Sequence, residues 1–265
     1  MRVIVRARKR NFAVDEEPQA RLAGLLRELR QVPYYCSVER RRELEAGSLE
    51  ALAPVELSEF LEQRARFSAA GVHVPVQIFE YPLSPAPRTA VLHRGFRSSL
   101  PVRVFPDGWS DAVSAFAPEA IAAPAVELSR LARAVRSGQV TLPALRHAAI
   151  AFVALGEELP QETERDLWWE VFEIPVFEYL LGPGGEVLAI ECEARDGLHW
   201  LAERAVFEVD RGELLVTPLS ASVARLRSGW AGEIETALCP CGRPGARLTG
   251  LRQFVRRRFA ATLAS

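Results

Sequence analysis

The chain has 265 residues, 49% of them hydrophobic and 25% charged, a globular composition with room for one large domain or two smaller ones. A formal net charge of −1 gives no global electrostatic case for binding DNA, RNA or an anionic membrane. No apolar run approaches the roughly 20 residues that span a bilayer, and the basic opening MRVIVRARKRNF lacks the apolar core of a secretory signal, so a cytoplasmic, reducing setting is expected.

Residues 1–72 read as a helical N-terminal segment and 73–265 as an α/β region, the two forming one compact domain. In PQARLAGLLRELRQV, Leu22, Leu25, Leu26 and Leu29 fall at helical spacing, with charge on the other face. Pro33 interrupts the pattern, and APVELSEFLEQRARFSAAG reads as a second helix that opens on proline and ends at Gly71. From about His73 the pattern changes. VHVPVQIFEYPL and LPVRVFP are short strand-like runs, separated by the proline-rich LSPAPRTA. PAVELSRLARAVRSG reads as a helix ending at Gly138, RHAAIAFVALG as a buried strand, and PQETERDLWWEVFE as a helix begun by proline. Four strand-like segments follow: IPVFEYLL, GEVLAIECEA, LHWLAERAVFEVD and GELLVTPLS. Alternating strands and helices, then strands in a row, predict an α/β core with a mixed or antiparallel appendage. FVRRRFAATLAS reads as a short terminal helix.

Four cysteines occur in the chain, and two of them form a C-x-C pair, Cys239 and Cys241, in the turn-rich LCPCGRPGARL. Upstream, ECEARDGLHW supplies Cys192 and His199 on either side of an expected turn at Asp196–Gly197. Three thiolates and an imidazole make a complete tetrahedral set for structural zinc, and a closed shell of that kind leaves no position for a substrate. The spacing alone leaves two readings open, a zinc clip or two unrelated pairs of free cysteines, because C-x-C is less typical of zinc sites than C-x-x-C. Cys36, beside Tyr34 and Tyr35, reads as a buried apolar residue.

The order VFEIPVFEYLLGPGGEVLAIECEARDGLHW, GELLVTPLS, ARLRSG and CPCGRPGARL resembles the phenylacetate–CoA ligase-like family of adenylate-forming enzymes. That family has a Tyr-Gly-(Ser/Thr)-Glu strand end, a Glu-Cys followed by Gly-Leu-His, an Arg-Tyr-Arg-Thr-Gly-Asp motif and a Cys-x-Cys-Gly-Arg leading to Arg-Leu. The opening helices, with their Val-Pro-Tyr-Tyr step, and the segment leading to Tyr179 agree as well. The resemblance implies a truncated adenylate-forming-ligase-like N-terminal domain: a helical N-terminal segment, a mixed sheet and a zinc-stapled β region. It places zinc on Cys192, His199, Cys239 and Cys241.

The motifs that would carry the family's chemistry depart from its pattern. Adenylation needs a glycine- and hydroxyl-rich loop whose N–H groups cradle phosphates, but LSPAPRTA has prolines where glycines would lie. Tyr179 is followed by Leu180, Leu181 and Gly182, leaving Glu186 as the nearest acid for magnesium. Arg225, Arg227 and Gly229 remain, but Trp230 stands where the resemblance puts a ribose-binding aspartate, and an indole accepts no hydroxyl. The family's C-terminal lysine domain has no counterpart before Ser265, and Lys9, the only lysine, is not placed to replace it. The reading is therefore a non-catalytic, zinc-binding accessory protein with no catalytic residues. It has no expected ATP, AMP or CoA site, and its partner is a protein or a second copy. The alternative is an AMP-forming carboxylate–CoA ligase completed by another chain. His73, His93 and His147 read as isolated, the acidic DEEPQ and EELPQETERD as solvated helix starts, and Trp168–Trp169 as core or a partner anchor.

Overall fold

The computed structural model describes residues 18–68, 77–81, 85–220 and 222–255. His73, Gly71, Lys9, Leu83, Ser84 and the terminal helix expected beyond Val255 lie outside them. The first helix, α1 (Pro18–Leu29), buries Leu25 and Leu29 and packs Leu22 and Leu26 beside them, the face that the leucine spacing predicts. Pro33 opens a 3-10 turn that buries Tyr34 and Tyr35. Ser37 then caps α2 (Val38–Glu45), its Oγ accepting from the Arg40 N–H at 3.3 Å. Cys36, expected to be buried, is exposed, because the same turn aims its two tyrosines inward and its cysteine out.

The helix expected to run to Gly71 is a correction. Only α3 (Leu57–Glu62) and a 3-10 turn over Arg64–Phe67 form. Val55 is held extended, its N–H donating to the Arg225 carbonyl at 3.0 Å, so the helix cannot start before Leu57. Gln63 breaks it at the other end, and Phe67 turns back to stack on Tyr34 with ring centroids 4.2 Å apart.

Beyond the N-terminal helices come β1 (Gln77–Ile78), β2 (Thr89–Val91), β3 (Phe96–Arg97), β4 (Val102–Val104), α4 (Asp111–Phe116), β5 (Ala120–Pro124) and α5 (Ala125–Arg136). They are followed by β6 (Ala149–Ala154), α6 (Glu162–Phe172), β7 (Val176–Leu181), β8 (Val187–Glu191), β9 (Leu198–Trp200) and β10 (Ala205–Asp210). The last strands are β11 (Glu213–Pro218), β12 (Leu226–Arg227), β13 (Trp230–Glu235) and β14 (Arg247–Gln253). Nine strands form one mixed sheet in the order β13-β14-β9-β8-β7-β6-β5-β2-β4. It is parallel from β4 to β7 and antiparallel from β7 to β13. Strands β10, β11 and β12 make a separate antiparallel sheet, and β1 pairs with β3.

The parallel half is covered on both faces. On one face Leu128 and Leu131 of α5 and Trp168 of α6 pack with Ile121 of β5, and the indole N–H of Trp168 donates to Ser129 Oγ at 3.0 Å, joining the two helices. The opposite face is aromatic, with Phe79, Phe96, Phe152 and Tyr179 in contact. A third core joins α1 to α3 with the sheet of β10–β12 and the outer antiparallel strands, and includes Leu29, Tyr35, Leu226, Trp230 and Leu248. Among the described residues no helix is long and apolar enough to cross a membrane.

Candidate metal centre

Strand β8 ends at Glu191, so Cys192 is the first residue released from its ladder. The chain reverses through Arg195 (φ 52°) and Gly197 (φ 86°), where the expected turn lies. A Cβ on Gly197 would stand 2.5 Å from the Leu248 carbonyl oxygen, so only glycine fits here. Strand β9 then presents His199, which sits opposite Arg247 of β14. Cys239 and Cys241 occupy the loop between β13 and β14, tightened by a bond from the Gly242 N–H to the Cys239 carbonyl at 2.8 Å.

The sheet thus brings together all four residues singled out in the sequence. Their donor atoms lie within 4.8 Å of one another, and together they could hold a metal ion. Cys192 Sγ is 3.6 Å from Cys239 Sγ, and Cys241 Sγ is 3.3 Å from His199 Nε2. A tetrahedral ion with Zn–S near 2.3 Å and Zn–N near 2.0 Å has edges of roughly 3.5–3.8 Å, so the donor set fits zinc in kind and number, and these two contacts lie close to such edges. Cys192, Cys239 and His199 are buried and Cys241 is partly exposed.

The local electrostatics suit a cation. Burial, with help from the nearby guanidiniums of Arg243 and Arg247, pulls the His199 pKa down and so favours the neutral imidazole, the form that ligates a metal. Burial works against ionisation of Cys239. Its thiol is nevertheless held below the usual value by donors that include the Cys241 N–H and the Arg247 side chain. Cys241 is pushed up to about 12, by burial first and then by the neighbouring thiols. Three thiols in one small space cannot all ionise unaided, and a divalent ion removes that conflict by binding each as thiolate.

The positions matching the family's nucleotide motifs are occupied otherwise. Trp230 is fully buried in the core, its indole N–H donating to the Glu157 carbonyl at 3.0 Å. Arg225 donates to the carbonyls of Glu50 (3.0 Å) and Leu52 (2.6 Å) and pairs with Glu208. Arg227 lies 2.6 Å from Glu213 and 3.1 Å from Glu56. Both arginines therefore pin the N-terminal segment to the β10–β12 sheet. Glu186 is folded into its own turn, accepting from the Gly184 N–H at 2.8 Å, and burial raises its pKa. Tyr179 belongs to the aromatic core. His93 accepts from the Gly95 N–H at 2.9 Å and packs between Phe96 and Phe152, while His147 is exposed. Trp168 is buried and Trp169 exposed. Sequence reasoning missed Arg247, whose side chain reaches both ligand-bearing loops.

No family model matches the sequence, and no curated protein matches it. Solved structures do. 2-Hydroxyisobutyryl-CoA ligase in an open conformation with 2-HIB-AMP and CoA superposes with a TM-score of 0.59 at 18% identity, over 86% of this chain and 67% of that one. The same ligase in its thioesterification state, with 2-HIB-AMP and CoA, gives 0.62 at 17% identity, over 91% and 68%. Its postadenylation state with R3-HIB-AMP gives 0.63 at 17%, again over 91% and 68%. This likeness is one of fold, and it places the chain among proteins with the mixed α/β architecture of adenylate-forming CoA ligases.

Proposed function

We propose that this chain is a zinc-stapled binding or accessory protein on an adenylate-forming ligase fold, without adenylation chemistry of its own. The observation that carries the reading is the β13–β14 hairpin. At one end its loop brings Cys239 and Cys241 to Cys192 and His199, and at the other Trp230 fills the core where the family's pattern has a ribose-binding aspartate. Zinc on Cys192, His199, Cys239 and Cys241 would supply a closed structural cross-link between the β8–β9 turn and the β13–β14 loop. The residues themselves do the rest: Gly197 allows the turn to approach β14, and His199 is kept neutral by its surroundings. Three reduced thiols suit a reducing compartment such as the cytoplasm.

A second reading has its own support. The solved neighbours hold acyl-AMP and CoA. In this chain an open cleft of about 750 Å³ lies between α1, β1 and the Glu203–Arg204 corner. Under that reading a partner chain would supply the phosphate loop and lysine, completing an AMP-forming carboxylate–CoA ligase. The cleft is lined by Arg21, Arg27, Arg97 and Arg204 against an equal number of glutamates, so it has no net charge to recruit a triphosphate. Calorimetry on zinc-replete protein with magnesium separates the two, with ATP, AMP and coenzyme A as parallel titrants. The accessory reading expects no saturable heat from any of them, whereas saturable ATP binding overturns it and puts the ligase first.

A further inference from the structure

We propose that Arg247 is the positioning residue of the Cys192–His199–Cys239–Cys241 centre, a role that rests on the zinc reading above. Arg247 stands directly opposite His199 across the β9–β14 ladder, so the two side chains share a face of the sheet. It is almost wholly buried, at 3% exposure. Its Nη1 donates to the backbone oxygen of Asp196 at 3.2 Å and to the Asp196 carboxylate. Its Nη2 donates to the Ala237 carbonyl at 3.4 Å. Asp196 lies in the turn that joins Cys192 to His199, and Ala237 lies two residues before Cys239. One guanidinium therefore ties together the two loops that must stay in register for four donors to converge.

Charge gives it a second task. A zinc ion with three thiolates and a neutral imidazole carries a net charge of −1, which is costly to bury unless paired. Arg247 supplies the buried positive charge next to Cys239. Asp196, half exposed, meets it from the solvent side. Arg243 is cationic and near, and it too spans the loops, but at the rim: it pairs with the exposed Glu193 at 3.3 Å, a solvent-screened contact worth little. It serves as the internal control.

The test measures the zinc dissociation constant of the whole chain by competition with a chromophoric chelator. Cobalt substitution reads the ligand shell, and melting midpoints are taken with and without metal. Arg247→Gln is expected to weaken zinc by about 10- to 100-fold while keeping the tetrahedral cobalt spectrum of three sulfurs and one nitrogen. Arg247→Lys should fall between, because it restores the charge without the two-pronged link; a lysine variant as tight as wild type overturns the bridge. Asp196→Asn probes the same link from an exposed position, should leave folding intact, and is expected to weaken zinc less than Arg247→Gln does. Arg243→Gln should leave the constant near wild type. The proposal fails if Arg243→Gln weakens zinc as much as Arg247→Gln. It also fails if Arg247→Gln lowers the apo and zinc-loaded midpoints equally with the constant unchanged, the mark of a plain core residue. Wild-type protein that takes up neither zinc nor cobalt sinks the zinc reading itself, a result distinct from either.

Discussion

The two halves of the large sheet differ in strand direction and in what their loops bring together. From β4 to β7 the strands are parallel, both faces are covered, and the elements read as near-continuous apolar runs such as AIAFVA in β6. From β8 to β13 the strands are antiparallel, β13 and β14 carry a glycine each, and the hairpin loop at the edge contains eleven residues with no regular structure, 236–246. The antiparallel half packs its own apolar core, with Leu188, Leu198, Trp230 and Leu248, against the N-terminal helices, and its loops converge on the Cys/His cluster. Burial thus holds the strands of both halves, while the loops of the antiparallel half also gather a donor set able to take a cross-linking ion.

The largest effect should come from breaking that cross-link. On the zinc reading, Cys239→Ser is expected to abolish zinc binding and to cost several kcal/mol, less than the roughly 10–16 kcal/mol of zinc-finger peptides because the hairpin keeps Trp230 and Leu248 in the core. Hydrogen exchange locates the damage: amides of β9, β13 and β14 should lose protection while those of β5, β6 and β7 keep theirs. Uniform loss of protection would show that the halves are one cooperative unit.

The converse experiment strikes the parallel half. Phe152 is buried against Phe79, Phe96 and Tyr179, and Phe152→Ala should cost about 3–5 kcal/mol in urea unfolding. Its zinc dissociation constant should stay at the wild-type value. A parallel fall in zinc affinity would argue that the aromatic core sets the geometry of the metal loops.

How far these halves could be read from the sequence differs, too. Helices α5 and α6 and strands β6 to β11 lie in the predicted segments, because long apolar runs and proline starts survive tertiary context. Strand β5 did not stand out: AIAAP is rich in alanine, a poor strand former, and runs without a loop into α5. Burial on both faces decides it. β13 and β14 were hidden by glycine and charge. Gly232 sits in a bulge, packed against Leu251 and Leu214, where a side chain would collide. The four cluster residues were visible because cysteine and histidine are scarce here and turns flank them. Arg247 was not, being one arginine among many, distinguished only by the strand that places it across from His199.

Trp230 crosses between the halves, since it begins β13 and its indole donates to Glu157, just beyond β6. Trp230→Phe keeps most of the volume and loses the bond, and should cost about 1–2 kcal/mol. The expected loss is at the low end, because Gln253 also donates to the same carbonyl at 3.2 Å. Restoring the carboxylate with Trp230→Asp should destabilise the fold by more and still give no ATP binding in calorimetry. ATP binding by that variant would mean that the rest of a nucleotide site survives around it.

An effect that appears only as pH rises lies on the seam itself. Glu178 of β7, the strand shared by both halves, is buried beside Glu191 of β8 with Arg165 above them, 2.5 Å from Glu178. Burial pushes its pKa up to about 7, with Arg165 opposing and Glu191 reinforcing the shift. A carboxyl whose folded pKa is raised binds its proton more readily in the native state, so stability is greatest below the unfolded pKa near 4.5 and declines as pH rises to about 7. Glu178→Gln cannot ionise and should escape that decline. In urea unfolding of zinc-replete protein it should exceed wild type only slightly at pH 5 and by on the order of 1–2 kcal/mol at pH 8. A variant weaker than wild type at pH 8 would show the Arg165 pair outweighing desolvation, and the seam would then be held by charge, unlike the apolar half on one side and the cysteine cluster on the other.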